Sequence, residues 1–241
     1  LGDVYKRQAN KDAMLHLALR APLRAIRECP EALLFGTAGF LLPVLPDSCT
    51  AEAVAHHKKL WTQWWPLREQ FELAPERSFP WTFSGSRPAN HPQRRAGALA
   101  VIAADFATFK RLCHSGPAEE LADYLSSLRH PYWSTHVTLP SAPSPRPMAL
   151  MGRDRILDFT VNHLFPAKGD EHAWLHYLSL RAGQAGTKVL SVHQSLLGGR
   201  PDAKAFLAKA WHHQALLQIH EDLCSLHSCT VCSLIGRMGK K

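Results

Sequence analysis

Four prolines within eight residues, Pro140, Pro143, Pro145 and Pro147, constrain this chain more than any other feature. Each lacks an amide donor and pushes the residue before it out of the helical region, so 140–147 cannot be helix. Nearly everything else reads as helix. From Asn10 onward apolar residues recur at alternating spacings of three and four, the mark of a helix with one buried face. The fold expected is mainly α, about ten helices in two packed lobes, 9–139 and 148–241, with 140–147 as the connector. Only 132–139 and 148–151 have strand character, enough for a short hairpin or an extended pairing.

Within the first lobe, Asn10 stands where it can cap a helix carrying Ala13, Met14, Leu17 and Ala18, and Pro22 and Pro30 suit the first turns of two more. Residues 30–42 are hydrophobic on most sides, as a buried helix requires, and Gly36 and Gly39 permit close packing or a break. A long amphipathic helix starts at Asp47 or Ser48 and runs through Trp61, Trp64 and Trp65. Pro66 inside it should kink or restart it. A further helix begins at Pro92, and its stripe of Leu99, Ile102, Phe106, Phe109 and Cys113 predicts a core-facing side from Leu99 onward. The last helical pattern, 202–226, carries Phe206, Ala210, His213, Leu217, His220 and Cys224 on one side.

Apolar residues make up 46% of the 241 and charged residues 20%, so the chain is globular and long enough for one large core or two small ones. The net charge of +8 favours an acidic partner, nucleic acid first among them. A membrane is not expected as a partner: the longest apolar run, 32–45, is interrupted by Gly36, Gly39 and Pro43 and is shorter than the roughly twenty residues a spanning helix needs. Residues 1–8, LGDVYKRQ, look like a translated sequencing adapter and are set aside from the fold, which leaves the expectation of a missing N-terminal half.

Two groups of residues carry candidate chemistry. Arg94 and Arg95 fall in the first turn of the helix at Pro92, where a cation opposes the helix dipole. With Arg87 they are candidates for holding phosphate at the helix amides, the plainer alternative being an internal carboxylate partner. Cys224, Cys229 and Cys232 lie at C-x4-C-x2-C spacing, and His220 precedes the first by one turn. Four N/S ligands suit tetrahedral zinc. The spacing also matches a ferredoxin-type iron–sulfur run, which needs a fourth thiolate that could come only from Cys29, Cys49 or Cys113. Thiols that simply pack as small apolar groups are the third reading. Clustered cysteines of this kind are more often metal ligands in a reducing compartment, so the location expected is cytoplasmic. No nucleophile elbow, phosphate loop, dinucleotide fingerprint or H-E-x-x-H helix is present. Whether the chain is an enzyme is left open, because no complete set of acid, base and nucleophile shows.

The stretches EALLFGTAGFL (31–41), SRPANHPQRRAGALA (86–100), YW (132–133), ALMGRDRILDFTVNHLFP (149–166) and QALLQIHEDLC (214–224) with the closing C-x2-C together resemble the bacterial family called domain of unknown function 2851. The resemblance implies a longer protein whose preceding half is similar to restriction-endonuclease-like nuclease cores. This chain would then be the helical C-terminal module, accessory to that half. The alternative from the residues themselves is a protein-interaction scaffold with an incidental basic surface. If the cysteines hold a structural metal, Cys229→Ser should lower the melting temperature and the bound-metal content together. A variant unchanged in both measurements would dispose of the metal knot.

Overall fold

The computed structural model describes residues 10–73, 79–83, 90–225 and 232. The chain divides into two compact units, Ala9–Ile156 and Leu157–Lys241. Among the described residues there is no strand, and the mainly α expectation holds. One isolated antiparallel bridge joins Arg181 to Lys209.

The first unit runs α1 (Lys11–Arg20), α2 (Leu23–Ile26), α3 (Pro30–Thr37), α4 (Ala51–Gln70), α5 (Pro92–Ala104), α6 (Phe106–His114) and α7 (Ala118–Ser127). An irregular segment follows, and α8 (Arg153–Phe159) begins at its end. Helix α3 is the centre: Ala32, Leu33, Leu34, Phe35, Gly36 and Thr37 are all buried, and the helix packs against both α4 and α5. Its all-round apolar sequence is what such a position demands. The contacts are close because they are made over glycine. A Cβ on Gly36 would meet the Trp64 ring at 2.0 Å, and one on Gly97 would meet the Trp133 ring at 2.5 Å. Gly39, at φ +72°, then turns the chain out of α3 in a backbone region that favours glycine.

Several local expectations are corrected. Asn10 makes no cap bond; it is buried and clasps Thr82, donating from Nδ2 to the Thr82 carbonyl (2.8 Å) and accepting the Thr82 amide at Oδ1 (2.5 Å). The cap of α4 is Thr50, whose hydroxyl accepts from the Ala53 amide, and α4 passes Pro66 without restarting. The helix expected from Pro92 breaks at Asp105 into α5 and α6. Leu99 and Phe106 are 42% and 39% exposed, so the core does not lie along that stripe. The buried face is instead Ala96, Gly97 and Ala100, because small residues let α5 approach α3 and Trp133 more closely than a leucine stripe would.

The prolines of 140–147 lie within the first unit. There the Ser144 amide donates to Thr135 O and the Met148 amide to Ser134 O, each at 2.7 Å, and no strand forms between 132–139 and 148–151.

The second unit has a π-helical turn at Thr160–Leu164, then α9 (Phe165–Lys168), α10 (Glu171–Ser179), α11 (Thr187–Leu197), α12 (Ala203–Phe206) and α13 (Ala210–Ile219), and a second π-helical turn at His220–Cys224. Asp170 caps α10 through the Ala173 amide (2.7 Å). The core joins α11 and α13 through Val189, Val192, Leu216 and Leu217. The single helix expected over 202–226 is thus three pieces. His193, His212 and His213 bind the carbonyls of Ala203, Phe206 and Leu207 at 2.6, 2.7 and 3.0 Å, satisfying the end of α12 where the helix stops.

Gly97→Ala and Gly36→Ala should each destabilise the protein by about 1–3 kcal/mol, since a tryptophan ring must shift to admit the methyl group. Gly199→Ala, where nothing lies within 4 Å, is the control. Chemical denaturation of the three variants checks this, and equal stability of all three would contradict the close packing.

Candidate functional site

The densest polar chemistry among the described residues lies against α3. Glu31, in its first turn, accepts three side-chain donors. Trp133 Nε1–H donates to Oε1 at 2.5 Å, His56 Nε2–H to the same oxygen at 2.7 Å, and His130 Nε2 stands 3.3 Å from Oε2. The tautomer of His130 follows from its other nitrogen, which accepts the amides of Tyr132 and Trp133 at 3.1 Å each and so leaves the proton on Nε2. Burial raises the Glu31 pKa, but the His130 and His56 bonds outweigh it and hold the carboxyl down at about 2. His56 also stacks on Tyr132 (4.0 Å, 9° between planes), which stacks in turn on His136 (3.8 Å, 7°). Burial, together with Glu52, Cys49 and Glu31, pushes the Tyr132 phenol pKa up, and its hydroxyl donates to Leu139 O.

Sequence reading missed this cluster. The signal was Glu31 itself, a carboxylate in a helix otherwise apolar all round, which can be buried only with partners.

The arginines separate. Arg94, read in the sequence as phosphate-facing, is 1% exposed and donates from Nε to Trp133 O (3.1 Å) and from Nη2 to Met148 O (2.8 Å) and Ala149 O (3.0 Å). Burial lowers its pKa. Its charge faces the protein's own backbone, and with the Gln93 side chain accepting from the Leu139 amide (2.7 Å) it pins the irregular segment to α5. Arg95 is half-buried, and burial, followed by the nearby charge of Arg155, pushes its pKa down to about 10. The first turn of α5 holds no acidic residue, and among the described residues no carboxylate pairs with Arg95. Arg155 reaches Asn90 (3.4 Å), His91 caps α5 through the Gln93 amide, and the exposed Phe83 ring stacks on His91 (5.4 Å, 17°). Arg87 lies outside the described residues.

Of the four expected metal ligands, Cys229 also lies outside the described residues. His220 Nδ1 stands 3.7 Å from Glu221 Oε1, and Cys224 is half-buried against the α11–α13 core. Cys232 is half-buried. Among the described residues no group of three His, Cys, Asp or Glu is arranged to hold a metal ion.

These features describe a helical protein with a buried carboxylate–imidazole cluster and a half-buried arginine, Arg95, in a helix first turn that holds no acid. The family model for a protein of unknown function, DUF2851, matches residues 1–174, and the chain belongs to that family. The match takes in 1–8 and ends before the 214–224 stretch. Comparison with curated proteins and with solved structures returns no match. Among the described residues no helix is long and apolar enough to cross a membrane.

Because the Glu31 pKa lies below its ordinary 4.5, its contribution to stability is complete above pH 4.5 and is lost as pH falls toward 2. A depression of this size corresponds to roughly 3 kcal/mol. Unfolding free energies of the wild type and Glu31→Gln should differ most near pH 6 and converge as pH falls toward 2. A gap independent of pH would show that Glu31 is not held ionised by its partners.

Proposed function

We propose that the start of α5 binds the phosphates of a nucleic acid, with Arg95 and Arg155 as the contacting cations and Arg87, in the adjoining residues, as a third. The observation that carries this reading is Arg95: a half-buried guanidinium in a helix first turn, beside another arginine and with no acid in that turn. A cation in the first turn of a helix opposes the helix dipole and becomes favourable there around an anion. Phe83, 51% exposed and stacked on His91 at the start of the same helix, supports a nucleic acid over free phosphate, since aromatic rings are the usual platform for bases. The net charge of +8 adds long-range attraction. Arg94 has no part in the contact.

In this reading the chain is the helical accessory part of a longer cytoplasmic protein with a nuclease-like preceding half, and the C-terminal cysteines with His220 hold a structural zinc. A second reading, a protein-interaction scaffold, is favoured by Leu15, Leu19 and Leu23, exposed large apolar side chains at four-residue spacing on and just after α1.

Salt dependence separates the two. Affinity for a labelled single-stranded oligonucleotide should fall linearly on logarithmic axes as salt rises, and Arg95→Gln should reduce that slope by about 0.7 to 0.9. Anisotropy titrations between low and physiological salt would measure it. Absence of binding at low salt would reject the nucleic-acid reading in favour of the scaffold.

A further inference from the structure

Helices α1 and α2 both pack on α3, and along them Ala13, Leu17, Ala21 and Ala25 are buried. The apolar inventory of this stretch is larger than its buried side uses. Leu15, Leu19 and Leu23 stand outside, 52%, 76% and 72% exposed. Each is followed by a basic residue, His16, Arg20 and Arg24, all exposed, and the exposed Arg27 follows α2. Consecutive residues of a helix point about 100° apart, so on α1 Leu15 and Leu19 form a ridge while His16 and Arg20 run beside it. Leu23 and Arg24 repeat the doublet at the start of α2. The acidic residues of 12–28, Asp12 and Glu28, lie at its two ends.

We infer that this ridge docks on the surface of an anionic lipid bilayer, the leucines entering the acyl boundary and the arginines meeting headgroup phosphates. Leucines with cations beside them are what a helix lying on a membrane requires, and it needs no spanning length. The shortness of the apolar runs therefore bears on crossing a bilayer and not on this contact. Charge complementarity selects the lipid: a basic rim around exposed apolar side chains is attracted to an anionic surface, which then covers both. A protein partner fits less well. The residues that dominate protein interfaces are Trp, Tyr and Arg seated in pockets, with Leu under-represented, and 11–28 contains no Trp, Tyr or Phe. A second copy of this chain would bring arginines against arginines. Nucleic acid would engage the arginines and leave the leucines in water. The inference uses neither Arg95 nor Arg155, so it stands apart from the nucleic-acid reading, and it claims for lipid the ridge that the scaffold reading gives to a protein.

Flotation of the full chain with vesicles tests this, using phosphatidylcholine alone and phosphatidylcholine mixed in equal parts with phosphatidylglycerol. The wild type should float with the mixed vesicles at low salt, stay behind with phosphatidylcholine alone, and be released as salt screens the headgroup charge. Leu19→Ser together with Leu23→Ser should weaken the partition about ten-fold or more, because binding scales with the apolar area inserted. Arg24→Gln should weaken it about five-fold. All three side chains are exposed, so these variants keep the fold, and an unchanged unfolding midpoint verifies it. Partition that the leucine pair leaves unchanged would show a merely electrostatic contact and overturn the inference, and equal flotation with neutral vesicles would overturn the role of anionic lipid. Absence of flotation at low salt rejects the membrane outright. If the wild type then sediments as a dimer and the leucine variant as a monomer, the ridge belongs to a second copy.

Discussion

The first unit is organised around Trp133. Its indole N–H is received by Glu31 in α3, its carbonyl by Arg94 in α5, and its amide by the ring of His130. The ring itself stacks on Phe35 (4.9 Å) and fills the space over Gly97 that any side chain on α5 would occupy. One residue in an irregular segment therefore ties together the two helices that form the core. A large amphipathic ring suits this role, since it buries apolar area and still needs a hydrogen-bond partner that must be supplied in the right place.

The same logic explains how a stretch without regular structure is held in place. Backbone groups outside helices must find partners, and around 128–152 many of these are side chains of neighbouring elements. Arg94 takes three carbonyls, Gln93 takes the Leu139 amide, and Ser134 and Ser141 hydroxyls take the amides of His130 and Val137. Buried charge is tolerated because each charge meets several partners: Glu31 has three donors, and Arg94 has three carbonyls on Nε and Nη2, with only Nη1 left without a hydrogen-bond partner among the described residues. Arg95, the next residue along, has no such enclosure, and this difference between neighbours on one turn separates a structural arginine from a binding candidate.

The helical character of the chain was legible in the sequence, because periodicity and proline placement report directly on backbone preference. The burial of α3 was legible too, from its all-round apolar composition and its glycines. The direction in which α5 faces was not. Its large residues suggested one side, but the core was closed by Ala96, Gly97 and Ala100, and close approach to Trp133 outweighed the area that Leu99 could have buried. Nor could the sequence tell Arg94 from Arg95, since both occupy the same first turn and differ only in what comes to meet them.

By itself, then, the sequence determined what depends on neighbours along the chain: helix content, the helix-free stretch around the prolines of 140–147, and the family to which the chain belongs. Tertiary structure alone decided what depends on residues far apart, namely that Glu31 meets His56, His130 and Trp133, and that Asn10 clasps Thr82. The physical reason is that hydrogen bonds and ion pairs are short-ranged and directional. Their partners are fixed by where helices cross, and that crossing is set by side-chain volume at a few contact points such as Gly36 and Gly97.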